Sequence, residues 1–244
     1  VSQPDVLSCD GRYVYMKSQT FELEGKRVRV APQGPDVQDN PERHLFSPIS
    51  FLDDSWFHRA YWLYGCAAGE GWAEWQLPPK RAPYGRIMCV DADNAYAYGR
   101  DPELLCNSSV LEYRLYSATK RATGDGTRGK LAGASVNWKE LAKLPPERLT
   151  ALEYHWQIEH PPVVVRAMVL AGDTLFMAGP PDVVNEKQMW GRSDERLFHQ
   201  KMKEQAEALE GAKNAVLWAV SKKDGTRLAQ QKLEFLPAFD GMIA

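Results

Sequence analysis

The sequence predicts an all-β fold, a β-propeller of four-stranded antiparallel blades with about three blades, long insertions and one amphipathic helix. Three observations support this prediction. An apolar strand, a tight turn and a second strand of aromatic or large apolar residues recur along the 244-residue chain. The recurrences lie about 80 residues apart, and a fixed internal period is typical of repeat architectures. Turns at Glu24-Gly25 and Asp224-Gly225 join further alternating segments, and four antiparallel strands per repeat are typical of propeller blades.

The recurring hairpins occupy segments 6–17, 87–100 and 167–179. Their turns are predicted at Asp10-Gly11, Asp93-Asn94 and Gly172-Asp173, residue types that tolerate the positive φ of two-residue hairpins. A fourth hairpin start is predicted at 239–242. These hairpins supply the first two strands of each blade.

The remaining strands are predicted between the hairpins by alternation of apolar and polar residues. Segment 20–30 turns at Glu24-Gly25, and segment 215–235 turns at Asp224-Gly225. Segments 111–118 and 151–158 are single predicted strands.

A helix is predicted over Ser193–Glu210. Ser193 is an N-cap residue type, and Gly211 follows the last predicted helical residue. The helix is predicted to pack on the outside of a blade through an apolar stripe formed by Phe198, Met202, Ala206 and Leu209.

The whole chain, 1–244, is predicted to be a single partial propeller domain. Its predicted parts are blade 1 at about 1–85 with insertion 33–80, blade 2 at about 86–160, blade 3 at about 161–236 with helical insertion 182–211, and the start of a next blade at 237–244. Three blades and a fragment would leave two apolar blade faces open. The remaining blades are therefore expected from the same gene product or from a second subunit.

Composition and charge exclude several classes of protein. Thirty basic against thirty-two acidic residues give a net charge of −2, so no global field attracts nucleic acid or anionic lipid. No apolar run reaches the roughly 18 residues that a membrane-spanning helix needs. The four cysteines form no CxxC pair, which argues against zinc-ribbon, thioredoxin-like and c-type haem proteins. We expect neither nucleic acid nor a membrane span.

Segment 215–233 (AVLWAVSKKDGTRLAQQKL) resembles the repeat of pyrroloquinoline-quinone-type (PQQ-like) β-propellers. Leu217-Trp218-Ala219-Val220 matches the strand and its small residue, and Asp224-Gly225 matches the turn. Segments 51–65, 85–100 and 166–182 are similar to the C-terminal part of large PQQ-like repeat proteins of Planctomycetes and related bacteria. The resemblance implies a PQQ-like or WD40-like propeller in a bacterial protein that is periplasmic, secreted or associated with the cell envelope.

The resemblance does not by itself imply a bound quinone. Quinone-binding members use a Trp platform, a calcium ion with carboxylate and amide ligands, an Asp base and often a vicinal Cys pair. This chain has no vicinal Cys pair and no assignable Asp base, so PQQ is disfavoured. Calcium is disfavoured too, because Asp91, Asp93 and Asn94 are also ordinary residues of a hairpin turn. No cofactor and no metal site is predicted.

Residues 53–62 (DDSWFHRAYW) are the chemically richest segment. The candidate catalytic residues are Asp54, His58 and Arg59, with His58 as acid or base, an Asp that orients it and Arg59 binding an anionic or hydroxyl-rich ligand. The structural alternative is a network of ion pairs and hydrogen bonds that fixes an insertion to its blade. Under either interpretation we expect His58 and Arg59 to be at least half buried and in contact with Asp53 or Asp54.

An aromatic run surrounds this segment. The candidate ligand-binding residues are Asp53, Trp56, Tyr61, Trp62, Trp72 and Trp75. Sugars stack on aromatic faces, so a carbohydrate groove is one interpretation, and aromatic residues filling the wedge between blades are the other.

Two functional hypotheses follow. The first is a binding or scaffolding propeller without chemistry of its own, and the second is part of an enzyme, carbohydrate-active or oxidoreductase, with its site around residues 53–62. We favour the first, because no nucleophile, metal triad or quinone set can be assigned in the sequence.

Overall fold

The protein is described by a computed structural model over residues 7–16, 19–28, 45–46, 62–64, 83–100, 113–120, 143, 152–185, 188, 196–239 and 241–243. These residues are mostly antiparallel β-sheet, with 52% of them in strand. The predicted all-β class is therefore confirmed.

Two three-stranded sheets come first in the chain. One has the order β1-β2-β3, with β1 Leu7–Cys9, β2 Tyr13–Met16 and β3 Gln19–Glu22. The other has the order β4-β5-β6, with β4 Leu45–Phe46, β5 Trp62–Tyr64 and β6 Tyr84–Gly85. Both sheets contribute to one buried hydrophobic cluster of Tyr15, Leu63 and Tyr84.

A four-stranded sheet follows, in the order β10-β9-β8-β7. Its strands are β7 Ile87–Val90, β8 Asn94–Arg100, β9 Tyr113–Thr119 and β10 Tyr154–Glu159. The strand β9 is buried over six of its seven residues. Segments 111–118 and 151–158, predicted as single strands, overlap β9 and β10, which each end one residue later than predicted.

The last sheet has the order β11-β12-β13-β14, in which each strand pairs with its neighbour in sequence. Its strands are β11 Ala167–Ala171, β12 Thr174–Gly179, β13 Ala215–Ser221 and β14 Arg227–Leu233. The register pairs Leu175 with Val220 and Trp218 with Gln230. Four consecutive antiparallel strands are the arrangement that the sequence predicts for one repeat.

The hairpin turns correct the sequence prediction in two places. The central turn residues are Gly11-Arg12, Ala92-Asp93 and Gly172-Asp173, because Asp10 N donates to Tyr13 O, Asp91 N donates to Asn94 O and Ala171 pairs with Thr174. The predictions Asp10-Gly11 and Asp93-Asn94 are each wrong by one residue. Asp10 and Asp91 precede their turns, where their carboxylates accept turn N–H groups.

A helix, α1, extends over Arg196–Leu209 inside the predicted segment 193–210. Its predicted apolar stripe is partly wrong. Phe198 and Met202 are half-buried, but Ala206 and Leu209 are exposed, and the buried residues of the helix are Gln205 and Ala208. Gln205 is buried because its amide oxygen accepts from Val183 N and its amide nitrogen donates to Pro181 O, which fixes the helix to the segment after β12.

The chain divides into two compact units. They are Val1–Ala97, Asp101–Cys106 and Ala118–Tyr154, and Tyr98–Arg100, Asn107–Ser117 and His155–Ala244. The predicted division into blades stays a prediction.

Candidate functional site

Trp62 is the predicted site residue that falls within the described residues. It lies in β5 opposite Gly85, and 8% of it is exposed. A ring so covered offers little face to a sugar. The other predicted site residues lie outside the described residues: Asp53, Asp54, Trp56, His58, Arg59, Tyr61, Trp72 and Trp75. The catalytic cluster, its expected burial and the aromatic groove therefore stay predictions.

The turn between β1 and β2 is held by one carboxylate. Asp10 Oδ1 accepts from Arg12 N at 2.8 Å and from Tyr13 N at 2.7 Å, while Asp10 Oδ2 accepts from the Tyr15 hydroxyl at 2.6 Å. Burial, together with this hydrogen bond and the negative charge of Asp10, raises the pKa of the Tyr15 phenol. The Asp10 carboxylate thus links the turn to Tyr15 of the buried hydrophobic cluster.

The turn between β7 and β8 is built in the same way. Asp91 Oδ1 accepts from Asp93 N at 3.0 Å and from Asn94 N at 2.8 Å, and Asp91 Oδ2 accepts from the Tyr96 hydroxyl at 2.9 Å. The offsets of two, three and five residues from the carboxylate are those of the first hairpin. Of the three residues considered as calcium ligands, Asp91 thus has both carboxylate oxygens in hydrogen bonds of the turn.

In the third hairpin, between β11 and β12, the aspartate and the tyrosine of this hydrogen bond are both replaced. Ala171 stands where the carboxylate stands in the other hairpins, and Phe176, five residues later, stands in place of the tyrosine. Neither replacement leaves a buried polar group behind, because the acceptor and its donor are lost as a pair. The spacing of Asp and Tyr in DGRYVY and DADNAY is the sequence signal that could have predicted this bond.

A lysine follows the third strand in both four-stranded sheets. Lys120 N donates to Asp93 O and Lys222 N donates to Asp173 O, each at 3.0 Å. The ammonium group of Lys120 also donates to Asp91 O at 2.7 Å and lies 4.9 Å from the centre of the Tyr64 ring. These bonds tie the end of the third strand to the second residue of the first turn in each sheet.

Trp156 of β10 docks on the turn between β13 and β14. Its indole Nε1 donates to Lys222 O at 2.8 Å, and its ring lies against Gly225, where an added Cβ would come within 2.8 Å of a ring carbon. Gly225 has a φ of +72°, a conformation that favours glycine. The same turn is held by Asp224, whose carboxyl pKa is lowered mainly by the backbone N–H of Thr226.

Arg114 is a buried cation of β9 that the sequence analysis missed. Only 4% of it is exposed, its Nη1 donates to Gln157 Oε1, and its guanidinium lies 5.2 Å from the centre of the Tyr116 ring. A buried charge needs such partners. Gln157 is in β10, next to Trp156, so this contact orients the strand that carries the docked indole.

The described residues do not group three or more His, Cys, Asp or Glu side chains in a way that could hold a metal ion. Within the same part of the chain, no helix has the length and apolar character needed to cross a membrane.

Comparison with known proteins gives no relative. No protein-family model matches the chain, and neither the curated proteins nor the solved structures contain a significant match.

Proposed function

We propose that this chain is the C-terminal part of a bacterial PQQ-like β-propeller that acts as a binding or scaffolding module without bound quinone. In this proposal the sheets form blades of one partial domain, and the protein belongs to the periplasm, the cell envelope or the secreted fraction, as the sequence resemblance implies. The observation that carries the proposal is the docking of Trp156 on the Gly225 turn.

That contact joins two successive four-stranded sheets of the chain. The indole of one sheet covers the glycine turn of the next and hydrogen-bonds its backbone. A propeller requires such a contact between neighbouring blades, because each blade must bury its faces against the next. The shared pattern of the turns supports the same conclusion, since successive sheets use equivalent bonds at equivalent positions.

The use of charged groups supports a structural and binding role. The Asp91 carboxylate, the Lys120 ammonium and the Asp224 carboxylate all hydrogen-bond to turn backbone. Charged side chains that are hydrogen-bonded to the turns stabilise the sheets from which the loops extend. Loops on a rigid scaffold are the usual site of binding.

The quinone-free part of the proposal is tested by titrating the chain with pyrroloquinoline quinone in the presence of calcium. Tryptophan fluorescence and the reduction of an electron-accepting dye are followed together. We expect neither saturable quenching nor dye reduction. Saturable binding or turnover would overturn this part of the proposal.

The choice between a binding module and the enzyme alternative is tested with a glycan array and an assay for released products. Glycans that bind without turnover support the module. Turnover that is lost in His58→Ala and kept in the matched control His199→Ala, which changes an exposed histidine of α1, would support the enzyme.

A further inference from the structure

We draw no further inference here: the strongest candidate, the exposed surface of the edge strand β14 around Leu228, carries none because nothing in the described part of the chain shows what covers it.

Discussion

Replacement of Gly225 by alanine is the sharpest perturbation of the contact between the sheets. The added methyl group would lie 2.8 Å from a carbon of the Trp156 ring. The alanine would also have to adopt a φ of +72°. The backbone conformation costs a non-glycine residue roughly 1–2 kcal/mol, and overpacking against a buried ring costs roughly 1–3 kcal/mol more. We therefore expect Gly225→Ala to lower the free energy of unfolding by about 2–5 kcal/mol.

Gly172→Ala is the matched control. Gly172 also has a positive φ, +58°, but an added Cβ there meets no described atom within 4 Å. The control should therefore lose only the conformational part, roughly 1–2 kcal/mol. Urea denaturation followed by far-ultraviolet circular dichroism measures both values.

A double-mutant cycle isolates the contact. In a Trp156→Ala background, which itself costs about 3–5 kcal/mol, the overlap disappears and Gly225→Ala should cost no more than the control does. The coupling energy should be about 1–3 kcal/mol. Equal losses at Gly225 and Gly172, or additive losses in the cycle, would refute the docking of the indole on this turn.

Three further predictions concern single side chains. Asp91→Ala removes the acceptor of two backbone N–H groups and of the Tyr96 hydroxyl, so it should lower the free energy of unfolding by about 1–3 kcal/mol. The control Asp93→Ala should change it by less than about 0.5 kcal/mol. Equal effects of the two substitutions in urea denaturation would contradict the turn geometry. Burial and the neighbouring Asp10 carboxylate raise the pKa of the Tyr15 phenol in the folded protein. The protonated phenol should therefore stabilise the fold fully below the unfolded-state pKa of about 10, and this stabilisation should be lost as pH rises through the higher folded-state pKa. An alkaline absorbance titration in which Tyr15→Phe removes a phenol of ordinary pKa would disprove this. Gln205→Leu leaves Val183 N without its acceptor and should lower the free energy of unfolding by about 1–3 kcal/mol. Gln200→Leu, on the exposed side of α1, should leave it almost unchanged. Similar melting temperatures of the two variants would show that Gln205 does not fix the helix.

The sequence predicts the strands of this protein well because their signals are local. Alternation and turn residues lie within a few positions of each other. The hairpin of β13 and β14 falls in its predicted segment, and β9 and β10 each end one residue beyond theirs. The turn of the second hairpin is placed wrongly for a local reason too, since Asp91 accepts turn N–H groups from outside the central pair.

The contacts that organise the sheets are not local, and the sequence analysis misses them. Trp156 and its acceptor, the carbonyl of Lys222, are 66 residues apart, and Arg114 and Gln157 are 43 apart. The predicted apolar stripe of α1 is partly wrong for the same reason, because the burial of Gln205 depends on its hydrogen bonds to Pro181 and Val183. The candidate catalytic cluster stays a prediction because its residues lie outside the described part of the chain.

The third hairpin lacks the hydrogen bond between an aspartate and a tyrosine, yet it keeps its two-residue turn at the same position in the sheet. A carboxylate without a tyrosine, or a buried tyrosine without a carboxylate, would leave one polar group poorly satisfied, which costs about 1–3 kcal/mol. Ala171 and Phe176 avoid this cost because both partners are absent. Gly172 has a φ of +58°, whereas Ala92 at the same position of the second hairpin is not among the described residues with a positive φ, so the two turns differ in backbone conformation. The three hairpins thus keep a two-residue turn at the same position by different local means, as expected when the pairing of the sheet, more than any one turn residue, determines the position of the turn.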